Sequence, residues 1–449
     1  MTQTRDDRSP EAILDLVREV EREAPGGAEA LFMAAMLADA PLPYDFALSM
    51  DGTPHNPALV NPAAAFFAAT ALMDPLVGRD LVDADADHQV FALPAEVRQA
   101  LRESLDPEQV AEWAGRAVYA LNLALPDADP QNWPLVEWLM PHVLACRDLA
   151  AELGVNTAAA NRVLHQTGFS LYFQRRHKEA AELLEAAMAV DVALKGGQHP
   201  DIAADLEGLA TVYRAGEDLP RAEAAFKACL DLQREIFTEN NPATAPVLIG
   251  LAMVKQARGD LSGAEAALNE CQAVLRASNQ ERHPAAASCL HNLALVLDAL
   301  DRPEEGLKRA LESLELTISL YGEHHPETAA SHNLAGLLFE RLGKDPEAEA
   351  HFRKSLSIRS RAFGEDHPET GQALCNLALF LDDRGRTEEA FDCFERGFTA
   401  FERSLGPDHP YMEEALDNLV AFLERTASAD PPLRERAEAR LKQIVERAG

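Results

Sequence analysis

The sequence predicts an all-α protein, a solenoid of paired helices behind a small N-terminal domain. Three observations carry that prediction. Pro200, Pro242, Pro284, Pro326, Pro368 and Pro410 stand 42 residues apart, and one spacing held over five intervals is the mark of a repeat array. Apolar and small residues recur after each proline in steps of three and four, the period of a helix face. A break near the middle of each interval divides it into two helices.

Within the unit, six residues after the proline stand Leu206, Leu248, Leu290, Leu374 and Leu416, with His332 as the exception. Nine after it are Leu209, Leu251, Leu293, Ala335, Leu377 and Leu419. Ten after it the residue is small in most units: Ala210, Ala252, Ala294, Gly336, Ala378. The unit after Pro326 reads as slipped by one, its Asn333-Leu334-Ala335 a residue early, with register recovered by Gly343. The break falls at Gly216, Gly259, Asp301, Gly343 and Gly385, where glycine suits the left-handed residue that ends a helix. The second helix carries Ala222, Ala264, Gly306, Ala348 and Ala390, then Phe226, Leu268, Ala310, Phe352 and Phe394. Small residues let the paired helices approach, and the aromatics fill the space beside them.

Proline opens each following helix in its first turn. His199, His283, His325, His367 and His409 precede five of the six prolines, and Asn241 the other. These histidines read as packing or capping residues at a repeat boundary, because equivalent positions lie a repeat apart instead of converging as metal ligands would. Counting back from Pro200 places a first, atypical unit at Ala158, with Leu164, Gly168, Leu171, Ala180 and Leu184 in register. After Pro410, Leu416, Leu419 and Leu423 keep register until Ala429-Asp430-Pro431-Pro432. Seven units are therefore expected over 155–428, with a capping helix over 429–449 to cover the last apolar face.

This order of large, small, aromatic and glycine positions resembles the tetratricopeptide repeat, whose usual unit is about 34 residues. The extra residues here are expected at the end of the second helix and the loop after it. Gly364-Glu365-Asp366-His367-Pro368-Glu369-Thr370 and Gly322-Glu323-His324-His325-Pro326-Glu327-Thr328 resemble the unit openings of kinesin light chains and their bacterial relatives. The resemblance covers about residues 155–449.

Ahead of the array, residues 1–8 are expected to be disordered. Ser9-Pro10-Glu11 starts a helix with Ile13, Leu14, Val17 and Val20 on one face. Pro25-Gly26-Gly27 breaks it, and a second helix runs from near Ala28 to Pro41-Leu42-Pro43. Asp51 to Pro62 reads as a loop, and Ala63–Leu72 as a helix. Leu81-Val82 and Val90-Phe91-Ala92-Leu93 read as two strands around an acidic turn, Asp83–Asp87. Helices are expected over Pro94–Leu105 and Pro107–Leu125, and another opens at Asn132-Trp133-Pro134. This outline is winged-helix-like over 9–125, with a helical linker over 126–154. His88-Gln89-Val90-Phe91 and the stretch Asn132 to His142 resemble the region after the nucleotide-binding module of NB-ARC-type signal-transduction ATPases. No G-x-x-x-x-G-K-[ST] occurs, so the phosphate cradle of that family has no counterpart.

The formal net charge is −33. Residues 1–150 hold 9 Arg, no Lys and 25 Asp or Glu, a balance of −16, and the rest carries −17. Both parts therefore disfavour nucleic acid and anionic membrane as partners. The six cysteines form no C-x-x-C pair and read as reduced packing residues. The polar start and the lack of a long apolar run predict a cytoplasmic protein.

No nucleophile or metal motif appears, so neither catalysis nor a cofactor is expected. The expected function is non-catalytic binding of a protein or peptide. The alternative from another class is a transcription regulator using the winged helix on DNA. Resemblance to the repeat family implies a concave groove lined by first helices. It is assigned Arg214, Met253, His291, Asn292, Asn333, Asn376, Asn418, Asp382 and Asp383. An Asn amide both donates and accepts, so the Asn column either holds an extended peptide backbone or satisfies neighbouring helices. The groove reads as apolar in the middle and acidic toward its end at Glu340, Asp382, Asp383 and Glu424, which suits a basic segment in the ligand.

Overall fold

The computed structural model describes residues 8–44, 46, 62–237, 240–405, 415–422 and five isolated positions between 435 and 442. They fall in two compact units, Met1–Phe237 and Thr238–Gly449. Residues 1–7 of the expected disordered tail, 51–61 of the expected loop, His409, Glu424 and most of the capping helix lie outside the described residues. Arg8, by contrast, donates to the Arg79 carbonyl at 2.8 Å, and Pro62 already opens a helix.

In the first unit, α1 (Pro10–Glu23) opens with the Ser9 hydroxyl accepting the Ala12 N–H, and Ile13, Val17 and Val20 are buried. The expected break at Pro25-Gly26-Gly27 is only one residue long: α2 (Pro25–Met36) starts on that proline. α2 ends at Met36, before the prolines. Leu42–Pro43 forms a short strand β1 instead of a helix end. After α3 (Pro62–Val77) come β2 (Asp83–Asp85) and β3 (Val90–Ala92). The three strands form one antiparallel sheet in the order β1-β3-β2. The expected strand Leu81-Val82 is thus displaced into the acidic run, and the turn falls later, where Gln89 has φ +55°. All three β2 residues are exposed, so no alternating burial marked the strand.

α4 (Ala95–Glu103), α5 (Pro107–Ala124) and α6 (Trp133–Leu153) follow. Arg98 donates to the carbonyls of Ala34 at 2.8 Å and Leu37 at 2.7 Å, and Arg102 Nε to that of Ala35 at 2.6 Å. Two guanidinium groups thereby satisfy the carbonyl end of α2, where cations are favoured. His142 Nε2 meets the Pro41 carbonyl at 3.0 Å, tying α6 to the chain entering β1.

From residue 158 to 422 every described element is a helix. In the first unit these are α7 (Ala158–Phe173), α8 (His177–Lys195), α9 (Pro200–Ala215) and α10 (Leu219–Ile236). The second unit holds α11 (Thr244–Ala257), α12 (Leu261–Ala277), α13 (Pro284–Ala299) and α14 (Pro303–Tyr321), then α15 (Pro326–Arg341), α16 (Asp345–Phe363), α17 (Pro368–Asp383) and α18 (Thr387–Ser404). A final helix, α19, covers 415–422.

The boundary histidines are caps. Nδ1 of His199, His283, His325 and His367 accepts the N–H two residues on, at 3.2 Å in each case. Asn241 does the same with Oδ1 for Ala243 at 2.8 Å. There the helix begins at Thr244 and not at Pro242. The expected slip after Pro326 is absent from the backbone: α15 spans the same 16 residues as α13 and α17. What differs is the side chains, with His332 replacing a leucine and Gly336 keeping the small position against Phe352.

The left-handed turn residues are Arg175, Glu217, Gly259, Asp301, Gly343 and Gly385, all with positive φ. Gly216, expected there, has φ −86°. Its role is close approach, since a Cβ would stand 2.9 Å from the His177 Cβ. The core of the second unit gathers Phe352, Phe380, Phe391, Phe394, Phe398 and Phe422. All six cysteines are free thiols.

Candidate functional site

In the second unit the first helices of successive repeats carry chemically related residues on one face. Asn376 Nδ2 donates to Asn333 Oδ1 across one repeat at 2.9 Å. Eleven residues after their prolines, Leu337 and Leu379 remain exposed, 42% and 37%, and Met253 and Leu295 continue that level half-buried. The face is therefore an apolar row beside an amide pair. The amide hydrogen bond leaves Asn333 Nδ2 and Asn376 Oδ1 for another partner.

The sequence-assigned residues divide into three groups. Asn333 and Asn376 are joined directly, and Asn418 lines a small cavity with Asn376, Leu379 and Phe401. Asn292 is turned to its own helix, donating to the Ser288 carbonyl at 2.8 Å, so the expected column is not one continuous ladder. His291 and Asn292 edge a separate cavity of about 140 Å³ with Ser288, Ser313, Thr317 and Ser331. Burial pushes the His291 pKa down and keeps the ring neutral. Arg214, at the end of α9, belongs to the first unit and is half-buried.

The acidic end is less acidic than its sequence. Glu340 receives Arg384 at 2.7 Å, and Arg384 also holds Asp345 at 2.7 Å while lying over the Phe380 ring. Burial raises the Glu340 pKa, and the guanidinium opposes that rise. Asp382 is half-buried and Asp383 exposed.

Sequence reasoning missed three groups. Arg384 was read as neither groove nor clamp. His332 and His351 meet Nδ1 to Nδ1 at 3.0 Å; the lone break in the leucine column at His332 was the available signal. Arg359, 7% exposed, reaches the Glu369 carbonyl at 3.1 Å and its carboxylate at 3.4 Å. Among the described residues no cluster of three metal-ligating side chains occurs. No described helix is long and apolar enough to cross a membrane.

No curated protein sequence matches the chain. Among solved structures, the chain is similar to a putative kinesin light chain from Podosopora anserina with nearly identical TPR-like repeats. Identity is 21% and TM-score 0.39, covering 45% of this chain and 96% of that one. BtubC of P. vanneervenii is similar at 18% identity and TM-score 0.42, covering 56% and 95%. A signal-transduction ATPase with a tetratricopeptide repeat sensor from Pyrococcus horikoshii is similar at 15% identity and TM-score 0.49. That match covers 97% of this chain and 61% of the other. The family model described as tetratricopeptide repeat matches residues 159–235, 206–277, 242–316, 286–361 and 332–402. These stretches overlap to cover more than half of the chain, in register with the helix pairs, and the chain belongs to the tetratricopeptide repeat family.

Proposed function

We propose that this protein is a non-catalytic scaffold or sensor. It binds an extended segment of a partner protein along the first-helix face of its second unit. The observation that carries the reading is the pairing of Leu337 and Leu379, exposed one repeat apart, with the Asn333–Asn376 amides beside them. Apolar side chains of the segment cover the leucines. The amides take its backbone N–H and C=O, leaving fewer unsatisfied polar groups on binding. Asp382 and Asp383 favour a segment that is basic at one end.

The N-terminal residues take a winged-helix-like role as a support or docking domain. The three-stranded sheet, with β1 between α2 and α3 in the chain and β2 and β3 after α3, supports that reading. The balance of −16 in residues 1–150 opposes use of that domain on DNA.

A photocrosslinking amino acid placed at Leu337 or Leu379 tests the groove. In the host it should capture one defined partner, and the same group at exposed Ser357 on α16 should not. Capture from Ser357 alone would move the binding surface to the second helices.

A further inference from the structure

We infer that the cavity between α13, α14 and α15 is a receptor for a guanidinium or ammonium side chain of the partner. The inference rests on the groove reading above and adds a specificity site to it.

The argument comes from comparing repeat boundaries within the chain. An acidic residue follows the boundary proline at Asp201, Glu327 and Glu369. At two of these places a basic side chain from the preceding helix meets it. Lys195 reaches Asp201 at 2.5 Å, and Arg359 reaches Glu369 at 3.4 Å. Arg359 is 7% exposed, and its Nη1 also donates to the Glu369 carbonyl and to Gln372 Oε1. The protein thus builds a binding place for a guanidinium there and fills it from its own chain.

At Glu327 the carboxylate of that place is present without a cation, and Ala330 stands where the next repeat has Gln372. The residue 42 positions before Arg359 is Thr317, and the residue equivalent to Lys195 is Tyr321. Neither carries a charge, and Glu327 has no ion-pair partner among the described residues. The space beside Thr317 is the cavity of about 140 Å³, lined by Ser288, His291, Ser313, Ser331 and Glu327. That volume is several times a water molecule's share of the liquid. Part of its wall is polar, with Thr317 Oγ1 and Ser331 Oγ 3.3 Å apart, and Ala287, Ala330 and Tyr321 supply apolar surface for the stem of a long side chain. A neutral His291 offers an acceptor nitrogen without opposing a cation. A cationic side chain entering here takes the position that Arg359 holds one repeat later, with a charge-assisted hydrogen bond to Glu327.

The probe is N-acetyl-argininamide, titrated into the full chain while the methyl resonances of Thr317, Ala287 and Ala330 are followed by NMR. These methyls should shift saturably, whereas N-acetyl-norleucinamide should leave them in place. Glu327→Gln should weaken the response about tenfold, as loss of one charge-assisted bond requires. Thr317→Arg should fill the cavity from within, abolish the response and raise Tm. No saturable shift in the wild type, an equal shift with the norleucine probe, or an undiminished shift in Glu327→Gln would overturn the inference. The probe needs no partner protein, so failure here is distinct from failure of the crosslinks at Leu337 and Leu379.

Discussion

The ring of His367 lies flat against Phe363, with 4.5 Å between centroids and 15° between planes. The same imidazole accepts the Glu369 N–H at Nδ1. Tyr321 and His325 repeat the arrangement one unit earlier, at 4.7 Å and 21°. The last aromatic of one unit thus steadies the cap of the next, so helix capping and unit-to-unit packing are one interaction.

His367→Ala should therefore lower stability by about 1–2 kcal/mol, from the lost cap and the lost ring contact together. His367→Asn should recover the capping part, as Asn241 caps in place of histidine, but not the ring contact. Chemical denaturation of the three proteins gives the comparison. Equal stability of the alanine and asparagine variants would show that Nδ1 contributes nothing.

Gly371 and Gly397 mark a close crossing of α17 and α18. A Cβ on Gly371 would stand 3.0 Å from the Gly397 carbonyl oxygen, and one on Gly397 would stand 3.1 Å from that of Gly371. Backbone cannot yield as a side-chain tip can. Gly371→Ala should cost about 1–3 kcal/mol by overpacking, measured by the same denaturation. A neutral result would mean that α17 and α18 slide apart freely.

The amide pair predicts coupling. Asn333→Ala and Asn376→Ala each remove one half of the same hydrogen bond. A double-mutant cycle should return an interaction of about 1 kcal/mol. Strict additivity would show the two amides to be independent in solution.

Acid should loosen the repeat that holds His332. Its pKa is lowered from 6.5 to about 4, first by burial and then by His351 and Lys354. The unfolded chain therefore binds a proton that the folded chain refuses. Stability conferred by the neutral ring is complete above about pH 6.5 and is lost as pH falls toward 4. Burial shifts His351 in the same direction. His332→Leu, which restores the residue found at this position in other units, should flatten the fall in Tm between these limits. An unchanged slope would assign the acid sensitivity to other groups.

The repeat was legible because each constraint on it is local and recurs. A proline every 42 residues, a cap before it and a small residue at each crossing are visible one at a time. Gly216 was misread because glycine serves two ends. It was taken for the turn, while Glu217 adopts the left-handed backbone and Gly216 makes room for His177. β1 was hidden by its two residues, one of them proline, and β2 by its fully exposed Asp-Ala-Asp. The site was half legible. Asn333 and Asn376 stand near equivalent positions, and the structure joins them. Arg359 and Glu369 were not legible as a pair. They face each other across a repeat boundary, and nothing in a chain with 26% charged residues marks those two.

The left-handed turns have a further bearing on how the molecule comes apart. Gly259, Gly343 and Gly385 adopt that backbone freely, whereas Arg175, Glu217 and Asp301 hold it against a side-chain clash of about 1 kcal/mol each. Two of these three adjoin in the first unit. In a chain of neighbour-dependent repeats, such turns set where breathing begins. Amide protons around Arg175 and Glu217 should exchange at lower opening free energy than those around Gly343 and Gly385. The ease of opening is thus written unevenly along the chain, one turn residue at a time.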